Sequence, residues 1–300
     1  MDRERALLDL LGHLDLDPAP PDRGDGERFV GRPPVEQSSP VYGGHLAGQA
    51  LAAAGRTVSA GLPVHSVHCS FVRPALPTAP FEYRVERVRN GVAFATRRVY
   101  ATQRGREVFS LTASFHRSEP GLDHQDPMPE VPGPEGLPTY EERLTKAFGE
   151  VVHSLGNPYE LRFVGPLSFD AAKDPSLVSP RTRIWVRTKG ELPAGAGGEH
   201  EQLLHACLLA YISDVTMLET VMVRHGASWS HASGSSIDHS VWIHRPFRAD
   251  DWLLCANETP AASGGRGLVL GRVFGRDGRL VATLAQEGLL RVRGGHAGTA

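Results

Sequence analysis

Val64-His-Ser-Val-His-Cys-Ser-Phe-Val-Arg-Pro74 and Ser236-Ile-Asp-His-Ser-Val-Trp-Ile-His-Arg-Pro246 are two strand-like runs that both end in Arg-Pro, offset by 172 residues. Arg98-Val-Tyr-Ala-Thr-Gln-Arg-Gly-Arg106 and Arg272-Val-Phe-Gly-Arg-Asp-Gly-Arg279, offset by 174 residues, both read as strand, glycine-containing turn and next strand. That is a hairpin signal in each half. Two offsets that nearly agree indicate an internal repeat.

An apolar helical segment precedes each Arg-Pro strand, Gly44–Ala54 in the first half and roughly Glu201–Val223 in the second. After the first Arg-Pro strand come alternating segments at Phe81–Val88, Phe94–Ala101 and Val108–His116. The pattern is one helix followed by an antiparallel sheet, twice, an α+β chain. A curved sheet must cover its apolar face, and a helix lying across it does so; two such modules can extend one sheet. Between Ser118 and Asn157 the chain turns rich in proline, glycine and charge, with a short helical stretch near Tyr140–Val152. The expected organisation is a first module over 1–118, a linker over 119–157 and a second module over 158–300. Leu7, Leu8, Leu10, Leu11 and Leu14 predict a short leading helix that ends at Pro18–Pro21.

The chain has 300 residues, 40% hydrophobic and 22% charged, which allows a large core. Its formal net charge of −2 gives no global attraction to nucleic acid or an anionic membrane, so an anionic ligand must meet a local basic patch. Cys69, Cys207 and Cys255 are odd in number and widely spaced, which predicts neither disulfides nor zinc and fits a reducing, cytoplasmic compartment. Ala6–Leu11 is too short for a signal or a membrane span, and no other stretch is expected to span.

His200-Glu-Gln-Leu-Leu-His205 has its histidines at i and i+5, where a metalloprotease helix needs i and i+4 to share a face, so no metal is expected. The G-x-S-x-G nucleophile elbow is missing, and Gly264-Gly-Arg-Gly267 reads as a turn between strands. His65, His68, His239 and His244 lie in the Arg-Pro strands, where alternation turns some inward and some outward. Asp214 stands inside the apolar run Leu203–Leu218, where a carboxylate is costly unless it is paired, solvated or faces a pocket. Gln286 interrupts the strand Leu280–Leu290, and Ser236 opens the second Arg-Pro strand. Alone, each has an ordinary structural explanation. The repeat sets His45 opposite Asp214, Val64 opposite Ser236 and Ala113 opposite Gln286, confining this polar triplet to the second half.

The sequence resembles the type II acyl-CoA thioesterases, proteins built as a double hotdog. The resemblance is carried by Val41–Leu51, by Val64–Ser66 through Phe71–Pro74, by Thr112–Phe115, by Ser236–Phe247 and by Gln286–Gly288. It implies that Asp214, Ser236 and Gln286 form the catalytic set, with His45 standing where related sequences usually have Gln. It implies hydrolysis of fatty acyl-CoA to free fatty acid and coenzyme A, with no cofactor, in a homo-oligomer (dimer or tetramer). The expected mechanism is direct: Asp214 as general base, with Ser236 and Gln286 holding the water. A thiol with a pKa of about 8.5 leaves with little acid assistance. Backbone N–H groups at the start of a helix are expected to stabilise the oxyanion, with the choice of helix left open. Arg245, Arg248 and Arg266 are the candidate contacts for the coenzyme A phosphates, set against their being ordinary surface arginines. The rival functions are a hotdog hydratase, for which Asp238-His239 is the closest pair, and a non-catalytic acyl-CoA-binding protein.

Overall fold

A computed structural model of the chain describes residues 3–20, 26–34, 40–149, 157–192 and 201–293. Asp2, Pro21, His200 and the stretches 150–156 and 294–300, on which some of the expectations above fall, lie outside the described residues.

The first module comprises helix α1 (Arg3–Leu14), strands β1 (Asp17–Ala19) and β2 (Glu27–Gly31), helix α2 (Gly43–Gly55), and strands β3 (Val64–Phe71), β4 (Phe81–Asn90), β5 (Phe94–Gln103) and β6 (Arg106–His116). Helix α3 (Tyr140–Phe148) lies in the connecting segment. The second module comprises β7 (Tyr159–Phe163), the short helix α4 (Ser168–Ala171), β8 (Arg181–Thr188), helix α5 (Glu201–Arg224), and then β9 (Ala232–Ser236), β10 (Asp238–Ile243), β11 (Leu253–Ser263), β12 (Arg266–Gly275) and β13 (Leu280–Val292). The strands form one antiparallel sheet in the order β1-β2-β4-β5-β6-β3-β10-β13-β12-β11-β8-β7, with β9 also pairing β13. Read inward from either end the two halves match. Each module also has a strand ahead of its helix, β2 and β8, which the helix-then-sheet reading did not foresee.

The modules meet along β3 and β10, and the register there confirms the repeat. Ser240 pairs with His68, and these residues are themselves 172 apart, so the pseudo-twofold axis passes through that pair. Cys69 facing His239 and Val67 facing Val241 are each other's images under the same shift. The next strands carry it on: His68 pairs with Thr112 and Ser240 with Ala285, which makes Ala113 the counterpart of Gln286. The hairpin turns follow their residues. Arg104 and Gly105 sit at φ 51° and 71°, and Gly264 and Gly265 at 56° and 76°, two-residue connections whose positive φ matches the strand twist.

The sheet wraps around α2 and α5, which pack against each other. Helix α2 is built from small residues, and the closeness is real: a Cβ on Gly44 would lie 2.2 Å from the carbonyl oxygen of Tyr211. Helix α5 is buried nearly all round, by α2 on one side and by β8, β11, β12 and β13 on the other. It therefore is long and apolar enough to cross a membrane, against the expectation that no such stretch exists. A helix enclosed by its own sheet has no side that must be polar.

The proline segment after α1 also departs from expectation, since β1 adds an edge strand to β2, a position that tolerates Pro18. The connecting segment lies against the second module: Met128, Val131 and Leu137 pack on Trp185, Trp252 and Phe274, and Trp185 Nε1 donates to Pro132 O at 2.9 Å.

Candidate active site

The second module supplies three side chains from three elements. Asp214 lies mid-way along α5 and is only 6% exposed. Ser236 ends β9, which pairs with β13, just before β10, which pairs with both β13 and β3. Ser236 Oγ donates to Asp214 Oδ1 at 2.7 Å, and Gln286 Nε2 on β13 donates to Ser236 Oγ at 2.8 Å. The local geometry is pinned from behind: Glu287 N–H donates to Asp238 Oδ1 at 2.8 Å and Ile237 N–H to Glu287 O at 2.9 Å.

The first module completes the site. Helix α2 starts at Gly43 without a side-chain cap, and Gly44 N–H donates to Asp214 Oδ2 at 3.0 Å. The positive end of a helix therefore faces the carboxylate. The glycines permit this approach, since a Cβ on Gly43 would lie 2.6 Å from the Phe71 ring and 2.8 Å from Asp214 Oδ2. Tyr42 Oη donates to Tyr211 O at 2.6 Å, and burial, with Asp214 nearby, pushes its phenol well above the ordinary tyrosine range, so it stays neutral.

A cavity of about 400 Å³ opens over these groups. Val41, Leu46, Phe71, Val215, Leu218 and Trp229 form its apolar wall, Asp214 and Ser236 are at its polar end, and Arg73 is the one cation lining it among the described residues. Trp229 is held by its Nε1–H, which donates to Glu219 Oε2 at 2.5 Å. The site is an apolar slot that ends in a carboxylate, a hydroxyl and a helix N-terminus. It suits a substrate with an apolar tail and a carbonyl to be attacked by water.

Residues 123–290 match the model of the acyl-CoA thioesterase C-terminal domain, and residues 32–116 that of the N-terminal domain. The chain belongs to the type II acyl-CoA thioesterase family. It is 38% identical to acyl-coenzyme A thioesterase 8 of Mus musculus over 93% of this chain and 88% of that protein. Acyl-CoA thioesterase 2 of Haemophilus influenzae is 35% identical over 84% and 87%. The crystal structure of the acyl-CoA thioesterase II TesB2 from Mycobacterium marinum superposes with a TM-score of 0.75 at 35% identity, covering 96% of this chain and all of that one. The fold is that of the hotdog thioesterases.

Against this family frame the expected site divides. Asp214, Ser236 and Gln286 come together. Gln286, however, is fully buried and does not line the cavity; its hydrogen bond into the site goes to Ser236 Oγ. None of the three arginines lines this cavity, and each has partners of its own. Arg245 is paired with Asp123 and donates to Leu280 O, Arg248 holds Asp250 and Glu201, and Arg266 holds Glu287. The arginine at the cavity is Arg73, from the first Arg-Pro run, whose Nη1 donates to Glu107 O. His45 does not line the cavity: its ring bonds the Arg32 carbonyl at 2.9 Å and packs against His13. Burial lowers its pKa to about 4, so it is neutral at pH 7. Sequence reasoning assigned neither Trp229 nor Arg73 to the site: Trp229 has no distinguishing spacing, and Arg73 was read only as part of the repeat.

Proposed function

We propose that this acyl-CoA thioesterase hydrolyses fatty acyl-CoA by direct attack of water, with Asp214 as general base and Ser236 as the group that orients the water. The single observation that carries the reading is the run of hydrogen bonds Gln286–Ser236–Asp214 at the polar end of an apolar cavity. Gln286 donates to Ser236 Oγ, which leaves the serine's own hydrogen for the carboxylate. Asp214 accepts from Ser236 on one oxygen and from Gly44 N–H on the other, and its remaining lone pairs are available to a water.

As the water attacks the thioester carbon, its proton passes to Asp214 and negative charge grows on the carbonyl oxygen. With Gly44 N–H given to Asp214 Oδ2 and His45 N–H to Tyr42 O, Gly43 N–H is the first-turn donor of α2 left for the oxyanion, backed by the positive end of that helix, the stabilisation that sequence alone left without a helix. Collapse of the tetrahedral adduct breaks the carbon–sulfur bond and expels the coenzyme A thiolate. No acyl-enzyme is required, and the cysteines do not offer one: they are buried, and burial raises the thiol pKa of Cys207 and Cys255 to about 12.

The decisive test is Asp214→Asn, expected to lower kcat on the order of a hundredfold or more with the fold intact. Near-normal turnover in a folded variant overturns the assignment. Free coenzyme A, detected with a thiol-trapping dye, separates hydrolysis from hydration of enoyl-CoA and from binding without chemistry. Three free, buried cysteines also support a reducing, cytoplasmic location for the chain.

A further inference from the structure

Two buried polar atoms without a hydrogen-bond partner among the described residues lie on neighbouring strands behind the proposed catalytic set. His239 on β10 and Gln286 on β13 are both fully buried, and they lie one step along the ladder from the pair Ser240 and Ala285. On neighbouring antiparallel strands that step places their side chains on one face, within reach of each other. His239 Nδ1 and Gln286 Oε1 each lack a well-formed hydrogen bond among the described residues. The other ring nitrogen, Nε2, lies 2.8 Å from Ser213 Oγ, and Ser213, fully buried on α5, immediately precedes Asp214. Burial lowers the His239 pKa, against the opposing pull of Asp214, contact with Gln286, and Asp238, so the ring is neutral and carries one N–H.

Where that hydrogen sits decides which way the Gln286 amide faces. With the hydrogen on Nδ1, His239 donates to Gln286 Oε1, and Nε2 is free to accept from Ser213. Gln286 then presents its NH₂ to Ser236, and Ser236 presents its hydrogen to Asp214. With the hydrogen on Nε2, Nδ1 becomes an acceptor facing an acceptor. The amide then gains by turning over, which sets its carbonyl against Ser236 Oγ and draws the serine's hydrogen away from Asp214.

We infer that His239 is a positioning residue: its Nδ1–H fixes the Gln286 amide, completing a one-directional chain of donors, Ser213 to His239 to Gln286 to Ser236, that ends on Asp214. Successive donors aligned in one sense strengthen one another in a dry interior. The chain begins and ends on adjacent residues of α5, so the helix holds both ends. This rests on the assignment of Asp214, Ser236 and Gln286, but adds a residue that touches neither substrate nor cavity.

Two measurements test it. The nitrogen-15 imidazole spectrum of the resting wild-type protein near neutral pH is expected to show His239 as the neutral Nδ1–H tautomer; an Nε2–H tautomer overturns the inference. His239→Leu is expected to lower kcat on the order of 10- to 100-fold. Its KM should stay within about twofold, because no binding contact is lost. His239→Asn, whose amide N–H can stand in for Nδ1–H, should restore most of that loss. A folded His239→Leu with wild-type kcat, or a His239→Asn no better than it, overturns the inference. If His239→Leu does not fold, the tautomer decides alone. Gln286→Ala measured alongside distinguishes the two levels: full activity there sinks the catalytic set, whereas an impaired Gln286→Ala beside a fully active His239→Leu sinks only the role of the histidine.

Discussion

Ser236 Oγ donates to Asp214 Oδ1 at 2.7 Å, linking a strand end to the middle of α5. The hydroxyl is a donor to Asp214, the proposed base, and an acceptor from Gln286 at once, so its loss should affect turnover more than binding. Ser236→Ala is expected to lower kcat roughly 10- to 100-fold with little change in KM. Ser236→Thr, which keeps the hydroxyl, should retain most activity. Steady-state kinetics on one acyl-CoA decides it, and an unimpaired Ser236→Ala would remove the serine from the mechanism.

The two glycines that open α2 should fail differently. A methyl at Gly44 meets the backbone of Tyr211 at 2.2 Å and must push α2 from α5. Gly44→Ala is therefore expected to cost about 1–3 kcal/mol in denaturant unfolding, together with activity. A methyl at Gly43 meets the Phe71 side chain, which can shift, and Asp214 Oδ2. Gly43→Ala should spare stability more than Gly44→Ala while still depressing kcat.

Stability should fall as the solution is acidified through the histidine range. The folded pKa of His45 is lowered from 6.5 to about 4, because burial disfavours the cation. Below pH 6.5 the unfolded chain takes up the proton first, so the stability present above that pH is lost between 6.5 and about 4 and is level below. The His45 contribution is about 3 kcal/mol. His13, His205 and His239 are also lowered by burial and steepen the same slope. His45→Gln keeps a donor for Arg32 O but cannot titrate, so chemical denaturation across this range should give it a shallower loss. An unchanged slope would rule His45 out as its source.

Arg73 and the three arginines chosen from sequence should separate in KM. Arg73→Ala is expected to raise KM for acyl-CoA several-fold, on the order expected for one charge-assisted phosphate contact, with kcat little changed. Arg245→Ala, Arg248→Ala and Arg266→Ala should leave KM at its wild-type value, since each cation is already paired with a carboxylate. The reverse pattern would restore the original choice.

Much of this was legible in the residues. The 172-residue offset of the Arg-Pro runs set the repeat, and the Ser240–His68 pairing shows the same offset as a physical axis. A carboxylate in the apolar run Leu203–Leu218 marked Asp214, because such a group has to be compensated. Periodicity and turn residues act over a few positions, so hairpins such as the one at Arg104-Gly105 could be read directly.

By itself, then, the sequence determined the doubled α+β module, its helices and hairpins, and the polar residues that only the second copy carries. Tertiary structure alone decided that the helix end facing Asp214 comes from the first copy, that Gln286 sits behind Ser236, and that Arg73 lines the cavity while Arg245, Arg248 and Arg266 do not. The reason is distance along the chain: Gly44 and Asp214 are 170 residues apart, and their contact exists because small residues let α2 and α5 close to backbone range inside one shared sheet. Local patterns specify which groups a segment offers; only the closure of the sheet around both helices decides which of them meet.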